Sequence, residues 1–176
     1  MKKLLLSGFM IMFFSLANSQ ENGILFSGGY SFASIDGLHG SGWRINGQYE
    51  FTRGGGRLSH GLSLGLIHLS ANEKSLTSTV NSWPLYYAPK YTITRDKLKF
   101  YLRGAIGLQV AGIKREGIVS LDDTDYGFYG GGSAGIMILL GEKIYLNADY
   151  EIAWASNSWY NDGLINTASA GLEFRF

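Results

Sequence analysis

The chain has 176 residues, with 15 Lys and Arg against 14 Asp and Glu, 25 Gly, 11 Tyr, 10 Phe, 2 Pro and no Cys. That length suits one domain, the near-neutral charge argues against a nucleic-acid partner, and the lack of Cys excludes a disulfide framework and thiolate chemistry. At 45% hydrophobic residues the chain is too polar for a helical membrane bundle, but it suits strands that need apolar residues on one face only.

Lys2 and Lys3 precede an apolar run over 4–16 and the small-x-small site Ala17-Asn18-Ser19, the pattern of a secretory signal peptide over 1–19. The run is shorter than the roughly 20 residues of a transmembrane helix, and no Cys stands at the cut for lipidation. Cleavage after Ser19 would leave one domain over 20–176, with 13 basic against 14 acidic residues, a charge of −1.

Eight strand-like segments follow. The first spans 23–35. The second, 41–53, sets Trp43, Ile45, Gly47, Tyr49 and Phe51 against Arg44, Asn46, Gln48, Glu50 and Thr52, a period of two. The third spans 58–70, and the fourth, 77–91, carries Pro84 and Pro89, so a bulge or a broken edge is expected there. The fifth, 97–113, sets Leu98, Phe100, Leu102 and Ile106 against Lys99, Tyr101, Arg103 and Gln109. The sixth spans 125–140. The seventh, 142–156, sets Ile144, Leu146, Tyr150, Ile152 and Trp154 against Asn147, Asp149 and Glu151, and the last, 164–176, sets Leu172, Phe174 and Phe176 against Glu173 and Arg175. Short connections at 54–56, 94–96 and 141–142 alternate with longer ones at 36–40, 71–76, 114–124 and 157–163.

Alternation by itself fits a soluble barrel as well as a membrane one. Three features favour the membrane. The strands are long enough to cross a bilayer at a tilt. Outward aromatics are expected in two belts, Phe26, Phe51, Phe100 and Phe176 near the short turns and Trp43, Phe128 and Trp154 near the long loops. The chain also ends inside a strand on an aromatic residue. The expectation is an all-β, eight-stranded, antiparallel, up-and-down transmembrane β-barrel in the outer membrane of a Gram-negative bacterium, a monomer in contact with outer-membrane lipid and lipopolysaccharide.

A barrel of eight strands is just wide enough for side chains to fill it. The inward set includes Arg44, Glu50, Lys99, Arg103, Asp149, Glu151, Glu173 and Arg175. Charges withdrawn from water must be paired, so these residues are expected to form a salt-bridged plug, the alternative being a narrow solute path through the same groups. His68 and Ser70 share a face at the long-loop end of the third strand and would start a nucleophile–base pair. Against this stands the plainer reading, an interfacial anchor and a loop-capping hydroxyl. Asp122-Asp123-Thr124-Asp125 lacks the glycine turn and distant Glu of a calcium loop and is expected to be a solvated acidic loop. His39 and His60 have no ligand spacing to a third donor, so neither a metal nor a cofactor is expected. Asp122, Asp123, Trp159, Tyr160 and Asn161 are candidate binding residues on surface loops, which carry function on rigid scaffolds; their ligand is unspecified.

The terminal Leu172-Glu173-Phe174-Arg175-Phe176 resembles the C-terminal signal read by barrel-assembly machinery, which implies that Phe174 and Phe176 present the last strand to it. The whole mature chain resembles the small outer-membrane β-barrel family of Bacteroidota, related in architecture to OmpA- and OmpX-type barrels. The stretches that carry the likeness are Trp83-Pro84-Leu85 with Pro89-Lys90-Tyr91, then 101–109 and 129–135. The resemblance implies fold and location, and that family shares no single activity. His68-Leu69-Ser70 is similar in spacing to the His-x-Ser element of the lipid A deacylase barrels, with Glu73 nearby; that family usually places Asn directly after the Ser, whereas Ala71 stands there here.

Overall fold

A computed structural model describes residues 20–35, 37–53, 56–73, 76–93, 97–116 and 121–176. Their strands are β1 (Gln20–Ile35), β2 (Leu38–Arg53), β3 (Leu58–Glu73), β4 (Leu76–Tyr87), β5 (Lys90–Thr92), β6 (Leu98–Glu116), β7 (Leu121–Leu139), β8 (Ile144–Ala155) and β9 (Tyr160–Arg175). All pairings are antiparallel. β4 and β5 both pair with β3 and β6, so together they make one of eight staves. The ring closes where β1 pairs with β9, from Gly23 opposite Arg175 upward. Below that pair, Asn22 and Phe176 exchange backbone hydrogen bonds of 3.1 and 2.9 Å. Closure leaves no sheet edge, which a strand surrounded by hydrocarbon requires.

The prolines break the ladder without shifting it. Leu64 opposite Leu85, Ile67 opposite Ser82 and Leu58 opposite Tyr91 keep one register through β3, β4 and β5. Of the two expected outcomes the bulge is absent and the broken ladder is present, since β4 stops at Tyr87 and β5 resumes at Lys90. Each proline faces a glycine. A Cβ on Gly65 would stand 3.2 Å from Pro84 Cγ, and one on Gly104 would stand 3.4 Å from Pro89 Cγ. The rings occupy the room the glycines leave, and Gly104 N still bonds Pro89 O at 2.8 Å. A register shift occurs instead between Ala33 and Ile35, where β1 meets β9.

The long connections are shorter than the sequence led us to expect. Ile35 pairs with Leu38 across a turn in which Gly37 has φ +80°, a conformation that favours glycine. Glu73 pairs with Leu76, the β6–β7 ladder runs out to Arg115 opposite Leu121, and β9 already begins at Tyr160. Residues 117–120, 54–55 and 94–96 lie outside the described ones. At 19 residues each, β6 and β7 measure about 60 Å at ~3.3 Å per residue. Crossing a bilayer takes roughly 9–11, so these strands outrun it.

The reason the loops were misread is a reversal of polarity along the staves. Toward the end that holds the chain termini, the outward positions are apolar and exposed, among them Ile45, Leu64, Leu85, Ile106, Ile138 and Leu172. The inward ones there are polar and buried, among them Gln48, Glu50, Ser63, Lys90, Arg103 and Glu173. Toward the other end the inward residues become Ile35, Ile67, Leu69, Val80, Ile113 and Ile165, all sealed from solvent. The outward ones become His39, Ser41, Asn72, Lys114, Asp122 and Asp162. Period two continues while its sign inverts, so polar residues that read as loop are the outer face of projecting strand. An apolar surface running all the way round a barrel belongs in hydrocarbon; beyond it the staves form a barrel of the water-exposed kind, dry inside and polar outside.

Exposed rings flank the apolar zone. Phe100, Phe174 and Phe176 stand at the end with the termini, where Phe51 is half-buried, and Trp43, Trp83, Phe128 and Trp154 stand at the changeover. Phe26 departs from the expected belt: it pairs opposite Gly47 and Leu172, four residues above the Asn22–Phe51 pair, on the wall itself.

Candidate functional site

The lumen is built in layers from the inward residues. Nearest the termini, Lys90 Nζ lies 2.6 Å from Glu50 Oε2 and 3.1 Å from Glu173 Oε2. Arg175 Nε holds the other oxygen of Glu173 at 2.8 Å, while its Nη2 reaches Glu50 at 3.9 Å and its Nη1 the exposed Glu21 at 3.5 Å. The next layer pairs Arg103 with Asp149. Asp149 also accepts from Tyr101 OH (2.8 Å) and from Ser169, while Arg103 donates to Ser133 Oγ (3.2 Å) and Gln48 Oε1 (3.3 Å). Above it, Arg44 Nη1 meets Glu151 Oε1 at 2.6 Å and Tyr129 OH at 3.1 Å, and Nη2 meets Tyr86 OH at 2.7 Å; Tyr129 in turn donates to Glu151. Four cations thus meet four carboxylates, each pair tied by further hydrogen bonds, which is the condition for tolerating buried charge.

Two residues stand differently from the expected set. Lys99 is half-buried at the mouth and donates to Tyr145 OH at 3.0 Å, with its ammonium 4.4 Å from that ring's centre, so it joins the network through a phenol rather than a carboxylate. Lys90, 1% exposed, is at the centre of the lowest layer and was missed. Its signal was parity: with the register unbroken across both prolines, Ser82, Pro84, Tyr86, Ala88 and Lys90 all face inward. The tyrosines 86, 101 and 129 were missed as network members as well; Tyr101 is seated over Gly135, where a Cβ would come within 2.6 Å of its ring.

Over the ionic layers sits the apolar plug. Between them Ser31 bonds Thr167 (2.8 Å), Ser82 bonds Tyr160 OH (2.7 Å) and Gln109 donates to Asn157 Oδ1 (2.7 Å). Tyr160, expected as an exposed loop residue, is 4% exposed and belongs to the plug's core. Trp159 is half-buried and packs on the same core, with the Arg115 guanidinium 5.7 Å from its ring centre. The apolar interior of the projecting rim draws both rings inward, a demand invisible while the segment is read as a loop. Asp122 and Asp123 are exposed on β7 rather than in a loop, and Asn161 accepts from Gly37 N at 2.6 Å.

On the outer wall, His68 Nδ1 donates to Asn81 Oδ1 at 2.7 Å and its ring stacks on Trp43 with centres 5.4 Å apart. Its neighbour two residues on, Ser70, is opposite Ser41 and Thr79. The imidazole is engaged by an amide and an indole, and no hydrogen bond joins it to Ser70. His60 bonds Tyr87 and stacks on Phe51. Among the described residues, no group of three or more His, Asp or Glu is placed to hold a metal ion.

The architecture is shared with solved barrels. Neisserial surface protein A is 14% identical, with a TM-score of 0.70 over 88% of this chain and 97% of that one. Ail, the attachment invasion locus protein of Yersinia pestis, is 16% identical, with a TM-score of 0.60 over 90% and 99%. The outer membrane enzyme PagL is 14% identical, with a TM-score of 0.51 over 86% and 98%. At such identities the likeness is one of fold. No curated protein matches the chain. The outer membrane protein beta-barrel domain matches residues 4–176, and the chain belongs to that family, an integral β-barrel of the outer membrane.

Proposed function

We propose that this protein is a closed, non-enzymatic surface barrel whose function resides on its projecting rim. The observation that carries this reading is the inversion of polarity along the staves. With the termini and short turns at the periplasmic end, the inverted part stands outside the cell as a rigid, strand-built collar with its own dry core. Below the collar, the layers around Arg44, Arg103 and Lys90 fill the lumen, which supports a filled barrel over a solute path. The collar offers Asp122, Asp123 and Asp162 to solvent, with Lys114 paired opposite Asp122. A neutral or basic partner suits that rim. Ail has been solved with a heparin analogue, sucrose octasulfate, a polyanion for which the acidic side of this rim is poorly matched. In the deacylase alternative through Ser70 and His68, the imidazole Nδ1, which would need a carboxylate to orient it, is taken by the Asn81 amide.

The test has two arms on the same purified protein and its knockout strain. Planar-bilayer recordings should stay at baseline, and lipid A mass spectra should be identical with and without the protein. Steady conductance would refute the filled lumen. Loss of an acyl chain that disappears with Ser70→Ala would refute the non-enzymatic reading.

A further inference from the structure

A hollow of about 630 Å³ runs across the outer wall of β1 to β4, lined by Phe26, Gly28, Ile45, Gly47, Leu64 and Trp83. Two outward glycines make its floor: a Cβ on Gly28 would have only the Arg44 carbonyl within reach, at 3.7 Å, and one on Gly47 only the Phe26 ring, at 3.8 Å. The floor is thus open because side chains are missing, with no backbone crowding that forbids them. The flanks are exposed apolar side chains, and this stretch of wall lies in the hydrocarbon zone. Lipid tails are as apolar as the wall, so a chain prefers this place through shape and close contact rather than through exclusion of water.

The upper end of the hollow has a second, separate feature. Ile45, Leu66 and Trp83 line it, and the next outward residues on the same three strands are Trp43, His68 and Asn81. The register puts Trp43 and Asn81 on either side of His68. The imidazole stacks on the indole and donates Nδ1–H to Asn81 Oδ1 at 2.7 Å, which fixes its orientation and leaves Nε2 for another group. A fixed polar trio at the polarity changeover, above an apolar trough, matches the two halves of an amphiphile: headgroup over chain.

We propose that this wall is a binding site for one molecule of lipid A, the lipid of the outer leaflet into which the hollow opens, with an acyl chain in the trough over Gly28 and Gly47 and its polar head against His68, Trp43 and Asn81. The site lies outside the lumen and apart from the rim function proposed above. It orients and retains lipid; no bond is made or broken.

The experiment is native mass spectrometry of the full mature barrel extracted from outer membranes in mild detergent. Wild type should carry one lipid A. Gly47→Leu, which fills the trough from an open position, should retain about tenfold less, the equivalent of about 1.4 kcal/mol. Gly132→Leu, an outward glycine on β7 with 3.5 Å of room before the Arg103 carbonyl, should retain the wild-type amount, which separates trough filling from general damage to the wall. His68→Ala should keep a bound lipid but lose the preference for lipid A over added phosphatidylglycerol. Folding of every variant is checked by heat-dependent migration on a denaturing gel. Equal retention by wild type and Gly47→Leu would overturn the proposal. So would equal loss in Gly132→Leu, wild-type binding of phosphatidylglycerol as strong as that of lipid A, or a barrel dimer that Gly47→Leu dissociates.

Discussion

Replacing Lys90 by Met tests whether the ionic layers hold the barrel together. Lys90 lies between Glu50 at 2.6 Å and Glu173 at 3.1 Å, with side-chain exposures of 3% or less for all three. Met matches the stem of Lys and removes only the charge. Glu173 keeps Arg175 at 2.8 Å. Glu50 is the carboxylate left stranded, since Arg175 approaches it no closer than 3.9 Å and its other contact is Gln48 Nε2 at 3.2 Å. Breaking a buried pair by removing one partner costs about 3–5 kcal/mol. Because Arg175 retains half of the work, the lower end of that range, about 3 kcal/mol, is expected. Adding Glu50→Gln should return about 1.5 kcal/mol or more, a coupling of the size found within a shared network. Reversible urea unfolding in detergent micelles, followed by tryptophan fluorescence, measures all four corners of this cycle. A Lys90→Met barrel within about 0.5 kcal/mol of wild type, or a double variant no more stable than the single, would refute the reasoning.

Three further outcomes follow from the same geometry. Arg103→Ala leaves Asp149 without its cation and should destabilise the barrel by roughly 3 kcal/mol or more in the same assay; unchanged stability would place Arg103 in solvent. Ile67→Ala hollows the apolar plug and should cost about 2–5 kcal/mol, yet planar-bilayer current should stay at baseline, because the layers below remain intact. Deleting Phe176 removes both the terminal aromatic and the backbone pair with Asn22; surface levels of protein measured by outer-membrane fractionation should fall, and wild-type levels would argue against an assembly role for Phe174 and Phe176.

The eight staves, their order and their closure could be read from the chain, because a period of two over a dozen residues has few other solutions. The edges of the staves could not. At Ser34, Ser41, Ser70 and Asn81 the outward face turns polar, and a polar face at a strand end looks like a loop unless the inward residues are read at the same time. Ile67, Leu69 and Val80 carry that second half of the signal. The charge layers were largely legible, since Arg44, Arg103, Asp149 and Glu151 alternate cleanly with apolar neighbours. Lys90 was hidden by two prolines that suggested a break, and only Gly65 and Gly104, opposite them, reveal that the strand runs on. The lipid-facing hollow had no sequence signal of its own, because it depends on which glycines of different strands fall side by side.

The polarity inversion also sets a waterline. A barrel that is uniformly apolar outside can ride higher or lower in a bilayer at little expense. Here a descent of two residues, about 6.6 Å along a strand, would carry Ser41, His68 and Asn81, on three adjacent staves, into the hydrocarbon, and an equal rise would lift Trp43, Trp83 and Trp154 into water. The draught of the molecule is thereby written into the staves themselves, and the height at which the collar projects is set by the chain as well as by the thickness of the surrounding lipid.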